Sequence, residues 1–149
     1  MRRRFTPLVL ARIEAAIASV EQRHAGEIRF AIENALEPGE LWRNLTARDR
    51  ALQIFGLLRV WDTEANNGVL IYVLYAEHAV EIVADRGIAR QVDQARWDQV
   101  CAAVTAEFRA GRFEQGAVQA IEGVAALLSA HFPQARGDPD ELPNQPVLL

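Results

Sequence analysis

The chain has 149 residues, half of them hydrophobic, and a formal net charge of −4. That suits one domain with a single core and argues against the concentrated positive surface that duplex nucleic acid requires. All sixteen basic residues are arginine, a composition that fits a GC-rich bacterial genome better than a phosphate-binding role.

Thr6-Pro7 reads as an N-cap followed by proline at the first helical position. Val9, Ile13, Ala16, Ile17 and Val20 then recur at helical spacing, and Gly26 stops the helix. The apolar run behind Arg2–Arg4 covers just Leu8–Ala11, too short for a secretory segment. No run approaches the ~20 apolar residues that span a bilayer. Cys101 is alone, so no internal disulfide forms and no oxidising compartment is implied. These features predict a soluble, cytoplasmic protein, with Arg2–Arg4 available to touch an anionic membrane surface.

Glu27–Ala35 alternates, with Ile28, Phe30 and Ile32 on one side and Arg29 and Glu33 on the other, which predicts a half-buried strand. Glu37-Pro38-Gly39 breaks it. Thr46 caps a second helix, with Asp49 in its first turn and Ala47, Ala51, Ile54, Phe55 and Leu58 as its buried stripe. Trp42 and Trp61 flank that helix and read as lids over the core. Asp62–Asn67 is a polar loop. Val69–Tyr75 is apolar without a break, as in a strand covered on both faces. A reversal centred on Glu77-His78 leads to an alternating partner strand, Val80–Asp85. It places Gly68 opposite Gly87 and Leu70 opposite Asp85.

Asp93 caps a helix carrying Trp97, Cys101, Val104 and Phe108 on one face, and Gly111 stops it. Phe113, Ala117, Ala120, Ile121, Val124 and Leu128 line the last helix, which ends before Pro133. Residues 133–149 carry four of the six prolines and no periodicity, which predicts a flexible tail beyond a domain spanning 1–132. The order α-β-α-β-β-α-α predicts an α/β fold. A small mixed sheet, with its first two strands parallel, is sandwiched by helices on both faces.

The hairpin gathers oxygen donors at its open end: Asp62, Glu64, Asn66, Asn67 and Asp85, with Glu27 and Asp93 as outliers. Oxygens of this kind suit a hard cation, calcium or magnesium. A phosphate oxygen could bridge to such an ion, with Arg86 taking a second oxygen. Set against this, Asn-Gly is ordinary turn chemistry and acids in loops are usually just solvated. The chain shows no zinc spacing among His24, His78 and His131, no nucleotide-binding glycine loop, no nucleophile elbow and no haem signature. Cys101 reads as a core thiol.

At NNGVLIYVLY (Asn66–Tyr75), VADRGI (Val83–Ile88), FRAGRFEQG (Phe108–Gly116) and GEIRF (Gly26–Phe30), the chain resembles the TPM-domain family of thylakoid-lumen and bacterial envelope proteins. The resemblance implies a sheet sandwiched by helices and divalent-cation binding. It also implies either an acid-phosphatase activity or an accessory role beside membrane complexes. Many members carry aspartate where this chain has Asn66, and Asp85 stands where many have glycine. Two readings follow. In one, a cation held by Asp85, Glu64, Asn66 and Asn67 serves a metal-assisted phosphomonoesterase with Arg86 as clamp. In the other, favoured here, the chain is a non-catalytic module that binds a protein partner near a membrane. Arg109, Arg112 and Phe113 at the last helix–helix corner are then candidate contacts, although Phe113 reads better as core.

Overall fold

The computed structural model of the chain describes residues 1–133 and 141–149; the stretch 134–140 of the expected tail lies outside the described residues. Elements run α1 (Pro7–Val20), β1 (Glu27–Glu33), α2 (Pro38–Trp42), α3 (Ala47–Leu57), β2 (Gly68–Leu74), β3 (Ala79–Ala84), α4 (Arg86–Ala89), α5 (Gln94–Arg109), α6 (Phe113–His131) and β4 (Val147–Leu148). The sheet has the order β3-β2-β1-β4, with β1 parallel to β2 and β4, and β2 antiparallel to β3.

The α/β sandwich is as the element order predicts. Ile28, Phe30 and Ile32 of β1 and Val69, Ile71 and Val73 of β2 face Ile13 and Ile17 of α1, Trp97 and Val104 of α5, and Ile121 and Val124 of α6. On the other face, Ala31, Leu70, Tyr72, Leu74 and Val83 pack with Ala51 and Ile54 of α3. Every residue of β2 is buried, which is why its sequence has no polar alternation. Each such aliphatic side chain contributes about 1.5–3 kcal/mol on burial, so the two layers supply most of the driving force for folding.

Thr6 caps α1, its hydroxyl accepting from the Val9 amide at 3.2 Å. Thr46 and Asp49 form a reciprocal capping box on α3.

Four sequence expectations change. β1 is covered on both faces rather than half-buried, because α3 lies over Ala31 and the C-terminal segment reaches its outer edge. The hairpin pairs Leu70 with Val83 and Val69 with Ala84, a two-residue shift from the expected register. The reversal is a 3-10 turn over Tyr75–Glu77, closed by His78 in the left-handed conformation (φ 50°), so its centre lies one residue earlier. Two short helices were not legible. Glu37-Pro38-Gly39, expected just to break the chain, starts α2 through a capping box with Glu40, and the Asp85 carboxylate caps α4.

Finally, the tail read as lacking any element is corrected over 141–149. Leu142 is buried beside α3, and Val147 and Leu148 pair with Ala31 and Ile32. A strand of two residues shows no period, but it covers an edge that β1 would otherwise leave unpaired.

Candidate functional site

Three backbone hydrogen bonds draw the open end of the hairpin together. The Asp85 amide donates to the Gly68 carbonyl at 2.8 Å, Gly87 to Asn66 at 3.0 Å, and Glu27 to Asn67 at 2.9 Å. The corrected register thus moves Asp85 to the end of the sheet, opposite Gly68. The approach is tight enough to demand glycine: a Cβ on Gly68 would lie 2.1 Å from the Val60 carbonyl oxygen, and one on Gly87 would lie 2.5 Å from that of Asn66. Asn66 takes the left-handed conformation (φ 51°), which asparagine tolerates better than most residues.

Asn67 ties the loop to the strand entrance. Its amide donates to the Thr63 hydroxyl at 3.0 Å, and its side-chain Nδ2 to the Ala25 carbonyl at 2.6 Å. Its Oδ1 is buried with no hydrogen-bond partner. Asp85 is similar: Oδ1 accepts the Arg86 amide at 2.8 Å, while Oδ2 is buried and unpartnered. Orphaned buried acceptors are rare and call for an explanation. Two hard oxygens of this kind fit the chemistry of calcium or magnesium.

Of the expected donors, the structure brings Asn66, Asn67, Asp85 and Glu27 to this end of the sheet. Glu27 is buried and its Oε1 accepts the Glu141 amide at 3.0 Å. Asp62 is exposed and pairs with Arg59 at 2.9 Å. Glu64 is exposed as well, its backbone amide held by the Glu141 carboxylate at 3.2 Å. Asp93 heads α5 and is exposed, and Arg86 is exposed at the start of α4. Among the described residues, no group of three or more His, Cys, Asp or Glu is placed to hold a metal ion.

Two features escaped the sequence. His24, two residues before Gly26, is 2% exposed, and neither ring nitrogen completes a hydrogen bond. Burial holds its pKa below the usual imidazole value; the Gly26 backbone opposes that and the Arg23 charge adds to it. The imidazole is therefore neutral at physiological pH. At the far end of the sheet, Arg50 of α3 grips the Glu33 carboxylate, which also accepts the Tyr72 hydroxyl at 2.6 Å. No spacing rule links positions 33, 50 and 72, so sequence alone gave no signal.

Other candidates resolve into structural roles. Burial, with Glu81 and Asp98 nearby, pushes the Cys101 thiol up to about 12, so it stays protonated. His78 packs 5.7 Å from Phe113 and 6.3 Å from Tyr75, at the turn end of the hairpin away from Asp85. Phe113 is core, stacked on Phe108 at 5.4 Å, and Arg112 is engaged by Glu107 at 2.5 Å. The helix–helix corner therefore keeps Arg109 as an exposed contact, with no apolar anchor.

The tryptophans are not lids. Trp42 is 89% exposed and Trp61 47%. Trp61 lies in the turn after α3, its indole N–H donating to the Gly56 carbonyl at 3.2 Å and the Arg59 guanidinium 5.3 Å from its ring centre. Leu41, Leu52 and Leu57 are exposed too, Leu57 at 70%. The outward side of α2–α3 thus presents large apolar side chains that the core does not use.

A four-stranded mixed sheet between helical layers, with an Asn-Asn-Gly entrance to its central strand, defines the class of domain. The chain belongs to the TPM-domain family: the model of the TPM domain matches residues 3–127. Among solved structures it is similar to the BA42 protein of the psychrophilic bacterium Bizionia argentinensis, determined by NMR. That pair shares 34% identity at a TM-score of 0.84, over 97% of this chain and 94% of that one. The N-terminal domain of a P. gingivalis protein shares the fold at 14% identity and a TM-score of 0.65, over 82% of this chain and 76% of that one. No match is found among the curated proteins. No helix among the described residues is long and apolar enough to cross a membrane.

Proposed function

We propose that this TPM domain is a non-catalytic interaction module. It docks a protein partner near a membrane through the exposed side of α2–α3, and takes calcium or magnesium at the open end of the hairpin. The observation that carries this reading is the exposure of Trp42 on α2, Leu57 at the end of α3 and Trp61 in the turn that follows. Exposed groups of large apolar residues mark interaction surfaces, and tryptophan is the residue most enriched at their energetic centres. The partner chemistry that fits is an amphipathic helix, its apolar side laid against Leu57 and Trp61 where α3 ends. Asp85 and Asn67, each with an orphaned oxygen, would hold the cation.

The alternative, a metal-assisted phosphomonoesterase clamped by Arg86, has less support. One Asp85 oxygen is committed to capping α4, the Cys101 thiol is protonated, and His24 is buried and neutral. None of these supplies a base beside an attacking water.

The test is photo-crosslinking from position 57 in cells that produce the full chain. A discrete protein adduct that disappears with Trp42→Ser and Trp61→Ser supports the reading; adducts to lipid, or none, overturn it. Calorimetric titration with calcium and then magnesium, repeated with Asp85→Asn, tests the cation separately. Binding that survives the substitution would remove Asp85 from the site.

A further inference from the structure

We propose that the outer edge of β1 is a strand-accepting site whose ligand, the segment Glu141–Leu149, is exchanged reciprocally between two copies of the chain. The segment is held as an added peptide strand is held, chiefly by its main chain. Val147 and Leu148 lie in parallel register with Ala31 and Ile32, and the Leu149 amide donates to the Ile32 carbonyl at 2.8 Å. The Arg29 guanidinium donates to the carbonyls of Pro143 and Gln145, and the Glu27 carboxylate accepts the Glu141 amide. Side chains add selectivity. Leu142 and Pro146 are buried; Val147 packs on the α3 side of the sheet and Leu148 on the opposite side.

α6 ends at His131, and the contacts of Glu141–Leu149 with β1 form a docking unit of their own. Its ladder is two residue pairs long, against seven between β1 and β2, so it opens more readily than the rest of the sheet. Once it opens, β1 presents an unpaired edge, apolar on the side of Ile28, Phe30 and Ile32 and charged at Arg29 and Glu33 beside Ala31 on the other; an unpaired edge is what another strand pairs with. The best-fitting occupant is fixed by the sequence: every other copy carries the same Leu-Pro-Asn-Gln-Pro-Val-Leu run. Reciprocal exchange satisfies both edges with the contacts already described and closes as a two-fold dimer. This exchange does not use the exposed side chains of α2–α3: Leu142 and Val147 pack with the inward residues Ala51 and Ile54.

Intramolecular docking competes at an effective concentration on the order of millimolar, so exchange is sought by sedimentation from about 1 μM to about 1 mM full-length chain. A dimer fraction that rises with concentration is expected. In a mixture of 13C-labelled and unlabelled chain, isotope-filtered NOEs should connect Val147 and Leu148 methyls of one copy to Ala31 and Ile32 of the other. A synthetic peptide with the sequence of residues 141–149, in excess, should return the dimer to monomer. A monomer at every concentration overturns the proposal. So does a dimer lacking those NOEs, or one that persists in Leu142→Asp/Val147→Asp; either would assign self-association to another surface.

Discussion

Arg50 and Glu33 face each other across the α3–sheet interface through two parallel hydrogen bonds of 2.8 and 2.9 Å, made by Nε and Nη2 of the guanidinium. Tyr72 completes the group from β2, and the Glu40 carboxylate lies 3.7 Å from the guanidinium on the other side. One arginine thus fastens α2 and α3 to the two central strands. Burial alone would raise the Glu33 pKa, but the bonds from Arg50 and Tyr72 more than offset it and hold the carboxyl below its usual value.

Arg50→Ala should therefore lower stability by about 2–3 kcal/mol, because it strands a mostly buried carboxylate. Equilibrium urea unfolding reads the loss. Glu33 also gives an acid limb. Its folded pKa lies below the unfolded value of about 4.3, so its contribution is complete above that value and disappears as pH falls through the folded pKa. In Glu33→Gln this limb should flatten.

His24 predicts a second, milder limb nearer neutrality. Its folded pKa is lowered by burial, so the unfolded chain binds the proton more readily. Its effect on stability is absent above the unfolded value of about 6.5, and stability falls as pH drops below it. Thermal unfolding of wild type and His24→Leu at pH 7.5 and 5.5 should show a smaller decline in the variant. An equal decline in both would mean that His24 is not the group responsible.

Two glycines should respond in opposite directions to the same change. Gly68→Ala drives a methyl into the Val60 carbonyl and should cost about 3 kcal/mol or more, since backbone leaves little to yield. Gly56 sits in α3, where an added Cβ would meet nothing within 4 Å beyond the adjoining backbone of its own helix. Gly56→Ala should stabilise by about 0.5–1 kcal/mol through helix propensity and a less flexible unfolded chain. Chemical denaturation of the pair checks both signs.

Cys101 should be almost inert in the folded chain. With its thiol pushed up to about 12, reaction with a disulfide reagent at pH 8 should be slower than that of a free cysteine by about a hundredfold or more. Adding denaturant should restore the ordinary rate.

What could be read from sequence depended on whether the signal was periodic. Val69–Leu74 and the stripe Phe113, Ala117, Ala120, Ile121, Val124 carry their burial pattern in residue order, and both are in place. The hairpin register was off by two because register depends on turn geometry, and the left-handed His78 leaves no pattern in the strands. Asn66, Asn67 and Asp85 could be placed together at the open end because one hairpin carries them. The burial of His24, next to the Ala25 carbonyl that Asn67 binds, comes from the fold and has no signal in the hairpin. Trp42 was misread because a tryptophan between Leu41 and Arg43 looks alike whether it covers a core or faces solvent.

The sheet order also sets a timetable. β2 and β3 can pair as soon as their turn exists, and β1 joins β2 after one crossover. The contact between Arg29 and Gln145 spans 116 positions, and such distant pairings form late. On the ribosome, β1 therefore waits with one side uncovered while most of the chain is still being made. In that interval a chaperone would find on the nascent protein a binding strip that the finished molecule hides.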